Sequence, residues 1–356
     1  MDLLLLLFLI FFFFNLSSNP TSKDQTLSVQ TTSYLQCVLV FIIMLHHISQ
    51  VTAGAPGSLL SNGLSVAGRL AVSVFFFISG YGLFKQYLVK KESYLKNFLQ
   101  KRLGPLLFSY AFAMLIYFIY RRITGGLGVK DAIKSLVNGS PFVSNSWYVI
   151  AIIFFYLLFY LSGKLSRNKS MFIVFLFIGT ALFFGITSYI GYGEWWYNAV
   201  FTFPVGALWA SQEKRIVAVV GAKYRIYCAA IALLFSFFFY LDEIQPLIYF
   251  RELACILFAV LVIALSYKYW VNAPFFSMMK KMSFELYLYH GLMISALKTQ
   301  AWLVEKRFLY GLLVVLFTVV ISYLVRIVTN YLMKRFAAIG ERTYGTLNAE
   351  IENNQS

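Results

Sequence analysis

Ten long apolar runs constrain this chain more than any other feature. Crossing hydrocarbon about 30 Å thick takes roughly 20 apolar residues in a helix. Segments near 34–51, 64–84, 103–120, 147–162, 170–190, 195–210, 226–241, 247–266, 283–303 and 308–333 reach that length, some with their flanks. Of the 356 residues 60% are hydrophobic and 12% charged, about half the charged share of an ordinary soluble domain. That excludes a soluble globular enzyme, a disordered chain and a collagen-like rod. The expectation is an all-α membrane protein, a polytopic bundle of about ten transmembrane helices.

An eleventh apolar run, Leu3 to Phe14, stands apart from that bundle. It is short, follows Asp2 where a signal peptide would begin with positive charge, and leads into a polar stretch. The chain therefore divides into a short apolar segment with a polar linker (1–33), a multi-span membrane domain (34–336) and a short polar tail (337–356).

Thirty Lys and Arg against fourteen Asp and Glu give a formal net charge of +16. In a soluble protein that excess would point to nucleic acid. Here it follows the bias of cytoplasmic loops toward Lys and Arg, so no nucleic-acid partner is expected. Clusters follow the even-numbered spans: Lys85 to Arg102, Lys164 to Lys169, Lys214 to Arg225, Lys268 to Lys281, and Lys334-Arg335. Both ends of the ten-helix core are thus expected in the cytoplasm, with the protein integral to a plasma or inner membrane. One loop departs from the rule. Arg121, Arg122, Lys130 and Lys134 fall between spans three and four, on the expected outer side. An interfacial amphipathic segment and an anion-handling loop both fit them.

The three cysteines, Cys37, Cys228 and Cys255, lie in apolar runs without CxxC spacing, so neither a disulfide framework nor a metal site is expected. The Pro and Gly breaks (Gly104-Pro105, Pro204 to Gly206, Gly80 to Gly82) do not match between the halves. That weighs against a transporter built from inverted repeats.

Ionisable groups inside spans are costly, and each is a functional candidate. The set is His46, His47, Arg69, Arg251, Glu252, Glu285, His290 and Arg326, which holds every histidine of the chain. Gln36 and His47 stand three turns apart on nearly one face of the first span, and Gln50 lies one turn past both histidines. A neutral imidazole there can take a proton from a hydroxyl. The competing reading is a histidine bonded to a backbone carbonyl or resting among headgroups.

Four ordered segments resemble the acyltransferase-3 family of integral membrane O-acyltransferases. They are Gln36 to His47, Val74-Phe-Phe-Phe-Ile-Ser79-Gly80-Tyr81, Lys101-Arg102-Leu-Gly-Pro105, and Ser283-Phe-Glu285-Leu-Tyr287-Leu-Tyr289-His290. Ser146-Trp147-Tyr148 and Phe203-Pro-Val-Gly206 are weaker echoes. The resemblance covers about residues 34–335. It implies transfer of an acyl group, usually acetyl from acetyl-CoA, to a hydroxyl of a cell-surface or lipid-linked carbohydrate, in contact with membrane lipid. It makes His47 the catalytic histidine, with His46 beside it, and gives His290 either an orienting or a structural role. Thioesters are already activated, so no metal is required, and no metal-ligand spacing is present.

Two positions depart from the family pattern: Gln36 replaces an Arg (or Lys), and Gly104 replaces a basic residue. Another cation must then meet the donor, or the chain belongs to a divergent or inactive branch. Arg102, whose planar fork suits phosphate, is the first choice for coenzyme A, with Gln36 and Arg69 as further donor contacts. Lys96 and Lys101 are explained by orientation alone. Transport of glycan or lipid, with the histidines relaying protons, is the alternative function. Glu285 is expected to pair with Lys281, Arg251 and Glu252 either to neutralise one another or to mark a helix entry, and Gly80 and Gly82 to permit close helix packing. Trp147, Trp195, Trp196, Trp270 and Trp302 read as an aromatic belt, with a carbohydrate platform at Trp195 to Tyr197 as the other reading.

Overall fold

The computed structural model describes residues 2–19, 26–52, 59–271 and 273–353. Their main elements are α1 (Asp2–Phe14), α2 (Val29–Thr52), α3 (Leu59–Lys90), α4 (Gly104–Gly125), α5 (Val129–Val137) and α6 (Trp147–Leu165), followed by α7 (Lys169–Tyr189), α8 (Thr202–Ala222), α9 (Tyr224–Ile244), α10 (Ile248–Lys268), α11 (Ser283–Lys298) and α12 (Arg307–Asn353). The all-helical architecture has a physical cause. In hydrocarbon each backbone N–H and C=O must be satisfied within the chain, and a helix does this by itself.

Among the described residues, eight helical stretches are long and apolar enough to cross a membrane: Val29–Thr52, Gly63–Lys90, Leu99–Gly125, Trp147–Leu165, Lys169–Tyr189, Tyr224–Ile244, Ile248–Lys268 and Arg307–Arg335. The sixth and ninth expected spans are helices of another kind. The sixth begins only at Thr202, after a turn at Glu194–Trp196, and carries Gln212-Glu213-Lys214-Arg215 in its second half. The ninth, α11, has 16 residues and rises about 24 Å. Residues Glu285 to Leu292 of α11 are all buried. A helix enclosed by other helices needs no uniform apolar surface, which is why it holds Glu285 and His290. The opposite case is α9, of whose most apolar window only 6% is buried.

The tightest crossing joins α3 to α8. A Cβ on Gly80 would run into the Phe203 carbonyl, and one on Gly206 into the Phe77 carbonyl. The two glycines therefore bring the backbones together reciprocally. Gly82, expected to share this role, has open space around its Cα.

The short N-terminal helix does not stand apart. Leu5 of α1 is buried with Leu45 and Leu64, and Phe11 meets Phe276 edge-on at 5.5 Å. The linker after it adds a short strand. β1 (Leu16–Ser18) pairs antiparallel with β2 (Tyr269–Val271), Leu16 opposite Val271. This places Trp270 inside the protein, 9% exposed and against Tyr34, instead of in an aromatic belt.

Candidate active site

The three histidines meet at one end of the bundle. His46 and His47 close α2, and α11 brings His290 beside them. The His47 and His290 rings stack at 5.3 Å, and the His46 ring lies 4.7 Å from that of His47. Hydrogen-bond partners assign the tautomers. His46 Nδ1 is 2.6 Å from the Leu64 carbonyl, which only accepts, so it carries the proton and leaves Nε2 bare. The Gln50 amide nitrogen donates to that Nε2 at 3.2 Å, which turns its Oε1 to His47. His47 Nδ1–H donates to this oxygen at 2.9 Å. His47 Nε2 is left as a lone-pair acceptor.

His290, fully buried, donates from Nδ1 to its own helix at the Tyr287 carbonyl, 2.6 Å away. Its Nε2 accepts from the Asn145 side-chain amide at 3.3 Å. Asn145 has a left-handed backbone (φ 61°), and its carbonyl accepts from the Tyr287 hydroxyl at 2.6 Å. Asn tolerates this conformation better than most residues. The polar Ser-Asn-Ser stretch before α6 was its only sequence signal, and Asn145 was missed there.

His46, His47 and Gln50 line a cavity of ≈ 500 Å³ with Arg69, Asn145, Ser146, Asn198 and two indoles, Trp147 and Trp195. Trp195 is half exposed at 52%, whereas Trp196 is buried and donates from Nε1 to the Gly139 carbonyl. Of the expected belt, Trp147 and Trp195 thus face this cavity. Gly68 also has a defined task, because a Cβ there would strike the His46 ring.

Arg69 belongs to this end and does not join Gln36 and Arg102. It pairs with Asp242 at 2.8 Å, and Asp242 also accepts from Arg251 Nε at 3.0 Å. Arg251 pairs further with Glu194, the neighbour of Trp195, and not with Glu252. Glu252 instead accepts from the Val200 backbone amide at 3.2 Å, just before α8 begins. Glu285 pairs with Arg326 at 3.5 Å instead of Lys281, because α11 is enclosed and its neighbour is α12.

A second cavity, of ≈ 490 Å³, opens at the lysine-rich end. Gln36, Ser79, Lys85, Arg102 and Tyr156 line it. Gln36 and His47 are separated by about 16 Å of helix rise, so one helix serves both cavities. Lys85 pairs with Glu213, whose Oε1 also accepts from the Tyr81 hydroxyl at 2.6 Å and the Thr26 amide at 2.7 Å. An adjoining hollow of ≈ 350 Å³ is lined by Lys90, Ser93, Asn97, Lys101 and, again, Tyr94 and Arg102. The Arg102 guanidinium lies 5.8 Å from the Tyr94 ring. Lys101, which orientation alone had explained, thus flanks Arg102 in a concave site, while Lys96 lines neither cavity.

One aromatic layer separates the two cavities. Tyr287, in the wall of the histidine cavity, is 5.4 Å from the Tyr148 ring. Ser79 lies beside both Tyr148 and Tyr156. Ser79 and Tyr156 already face the lysine-end cavity. Among the described residues no cluster of His, Cys, Asp and Glu could hold a metal ion.

The fold and this site define an all-α membrane protein with a histidine-lined cavity at one end and a cationic one at the other. The family model described as an acyltransferase domain, that of the acyltransferase-3 family, matches residues 32–327. The chain belongs to that family and is a membrane acyltransferase. Comparison with curated proteins found no match, and comparison with solved structures found none either.

Proposed function

We propose that this protein is an O-acyltransferase that moves an acetyl group from acetyl-CoA to a carbohydrate hydroxyl, with the acceptor in the histidine cavity. The observation that carries the reading is the free Nε2 of His47, aligned through Nδ1 by Gln50 and facing a cavity walled by indoles. Indole faces suit the apolar faces of sugar rings, and the Asn145 and Asn198 amides supply hydrogen bonds for their hydroxyls.

In the reaction His47 Nε2 takes the proton of the acceptor hydroxyl. The oxygen attacks the thioester carbonyl carbon, a C–O bond forms, the C–S bond breaks, and the proton passes from His47 to the departing thiolate. The donor's phosphates belong with Lys90, Lys101 and Arg102, whose charges are exposed in a concave setting. Its thioester arm reaches His47 past Ser79 and Tyr148. In this reading the lysine-rich end is cytoplasmic, as the positive-inside bias directs, and the acceptor enters from the other side. Gln36 then contributes amide donors to the arm where the family has a charge.

The test supplies labelled acetyl-CoA to membranes holding the protein or its His47→Ala form, and follows label into glycan. Loss of general-base catalysis should cut incorporation by about 10²–10⁴-fold. Equal incorporation by both forms would remove His47 from the chemistry. Movement of substrate across the membrane without incorporation would favour transport instead.

A further inference from the structure

The basic loop between the third and fourth spans contains α5, whose two sides demand different surroundings. At about 100° per residue, Ala132, Leu136, Val129, Ile133 and Val137 form one continuous apolar arc. Half of that arc is satisfied by protein: Ala132 is buried, and Leu136 packs against the core. The other half is not, with Val129, Ile133 and Val137 exposed by 63%, 59% and 68%. Lys130 and Lys134 follow on the next side of the wheel, both exposed, and Asp131 lies beyond them. Residues 121–137 hold four cations, Arg121, Arg122, Lys130 and Lys134, against this one acid. Arg121 is engaged with Ser144 at 3.1 Å, and Arg122 is exposed.

Position supplies the second argument. α4 and α6 are both long and apolar enough to span, which puts the segment joining them at a membrane boundary. It is also held rigidly there. The Tyr192 hydroxyl donates to the Val137 carbonyl at 2.7 Å, and Trp196 Nε1 to the Gly139 carbonyl at 2.8 Å. Gly139 adopts φ +69°, and the Tyr192 ring occupies the space its side chain would need. The exposed stripe cannot turn inward to hide.

We propose that α5 is an interfacial helix, which sinks Val129, Ile133 and Val137 into the leaflet at the histidine end and lays Lys130 and Lys134 on anionic lipid headgroups. Charge complementarity and the height of the helix select a lipid surface as the occupant. Because Gly139, Ser140 and Pro141 run from α5 into the wall of the histidine cavity, the mouth of that cavity is held at headgroup level. If the acyl-transfer reading holds, acceptors carried at the membrane surface are the ones presented to His47. The placement of α5 does not rest on that reading.

The test uses the full chain with Cys228→Ser, in nanodiscs of phosphatidylglycerol or phosphatidylcholine. Single nitroxides are introduced through Ile133→Cys, Val137→Cys and Asp131→Cys. Expected are oxygen collisions and protection from a water-soluble nickel chelate at positions 133 and 137, and the reverse at 131. In phosphatidylglycerol, Lys130→Glu with Lys134→Glu should abolish the protection at 133; in phosphatidylcholine it should not. Equal nickel access at 133 and 131 would overturn the proposal. So would protection accompanied by dipolar broadening, which would mean a second copy covers the stripe. A charge reversal without effect in phosphatidylglycerol would overturn the headgroup contact.

Discussion

At the scale of single residues, the site depends on proton placement more than on the number of ionisable groups. Three imidazoles within stacking distance would interfere with one another if their protons were unassigned. Two backbone carbonyls and one glutamine amide assign them. Gln50 is the informative position, since its oxygen holds the His47 proton and its nitrogen fills the His46 lone pair. Gln50→Leu should lower kcat about tenfold, the worth of one orienting hydrogen bond, with donor KM unchanged. Gln50→Glu keeps an acceptor for His47 Nδ1 and should recover most of that loss. Steady-state kinetics on the two variants checks both statements, and equal defects would remove the alignment role. The histidines themselves were legible in the sequence, because ionisable groups in apolar runs stand out. Asn145 was not, because its importance rests on a left-handed turn that points its amide at a helix 145 positions further along.

At the scale of elements, the α3–α8 crossing organises the bundle, because α3 lines both cavities and α8 packs against it. Reciprocal glycines permit it, and added methyl groups have nowhere to go. Gly80→Ala and Gly206→Ala should each cost about 1–3 kcal/mol of stability, whereas Gly82→Ala, in open space, should cost less than about 0.5. Thermal unfolding in detergent separates the two classes; an equal loss at Gly82 would contradict the crossing geometry. Eight of the expected spans were legible because lipid demands a uniform apolar surface over a fixed length. The remaining two depart from expectation in bounds and surroundings: α8 begins at Thr202 where 195 was expected, and α11 is a 16-residue helix enclosed by protein. Protein surrounds α11, and protein accepts a carboxylate or an imidazole where lipid would not. The same reasoning corrects the ion pairs. A neighbour in sequence suggested Lys281 for Glu285, whereas helix packing supplied Arg326; of the two readings of Arg251-Glu252 the helix entry holds, since Arg251 lies in the first turn of α10 and pairs with Asp242 and Glu194.

At the scale of the whole molecule, the two cavities give the proposed reaction a direction. In the proposed reaction donor and acceptor enter from opposite ends, so their binding determinants should separate kinetically. Arg102→Gln should raise donor KM about 10–100-fold, the worth of a charge-assisted hydrogen bond, and leave acceptor KM unchanged. Trp195→Ala should do the converse, raising acceptor KM about tenfold. Varying each substrate in turn provides the measurement; a shift in both constants from either variant would argue against separate sites.

What the sequence by itself determined is the solvent. Apolar runs of span length, sparse charge and every histidine inside a run are properties of composition and spacing. They were enough to specify an all-helical membrane protein and to point at His46, His47 and His290. The ordered motifs then pointed to an acyltransferase, and the match over residues 32–327 agrees. Only the tertiary structure decided which charge faces which. Gln36 and Arg102 share one cavity, Arg69 lines the other, and the basic loop becomes a helix with a stripe facing outward. The reason is geometric. Hydropathy records whether a segment leaves water, whereas the partner of a buried polar group depends on how helices far apart in sequence cross, and that is set by shape.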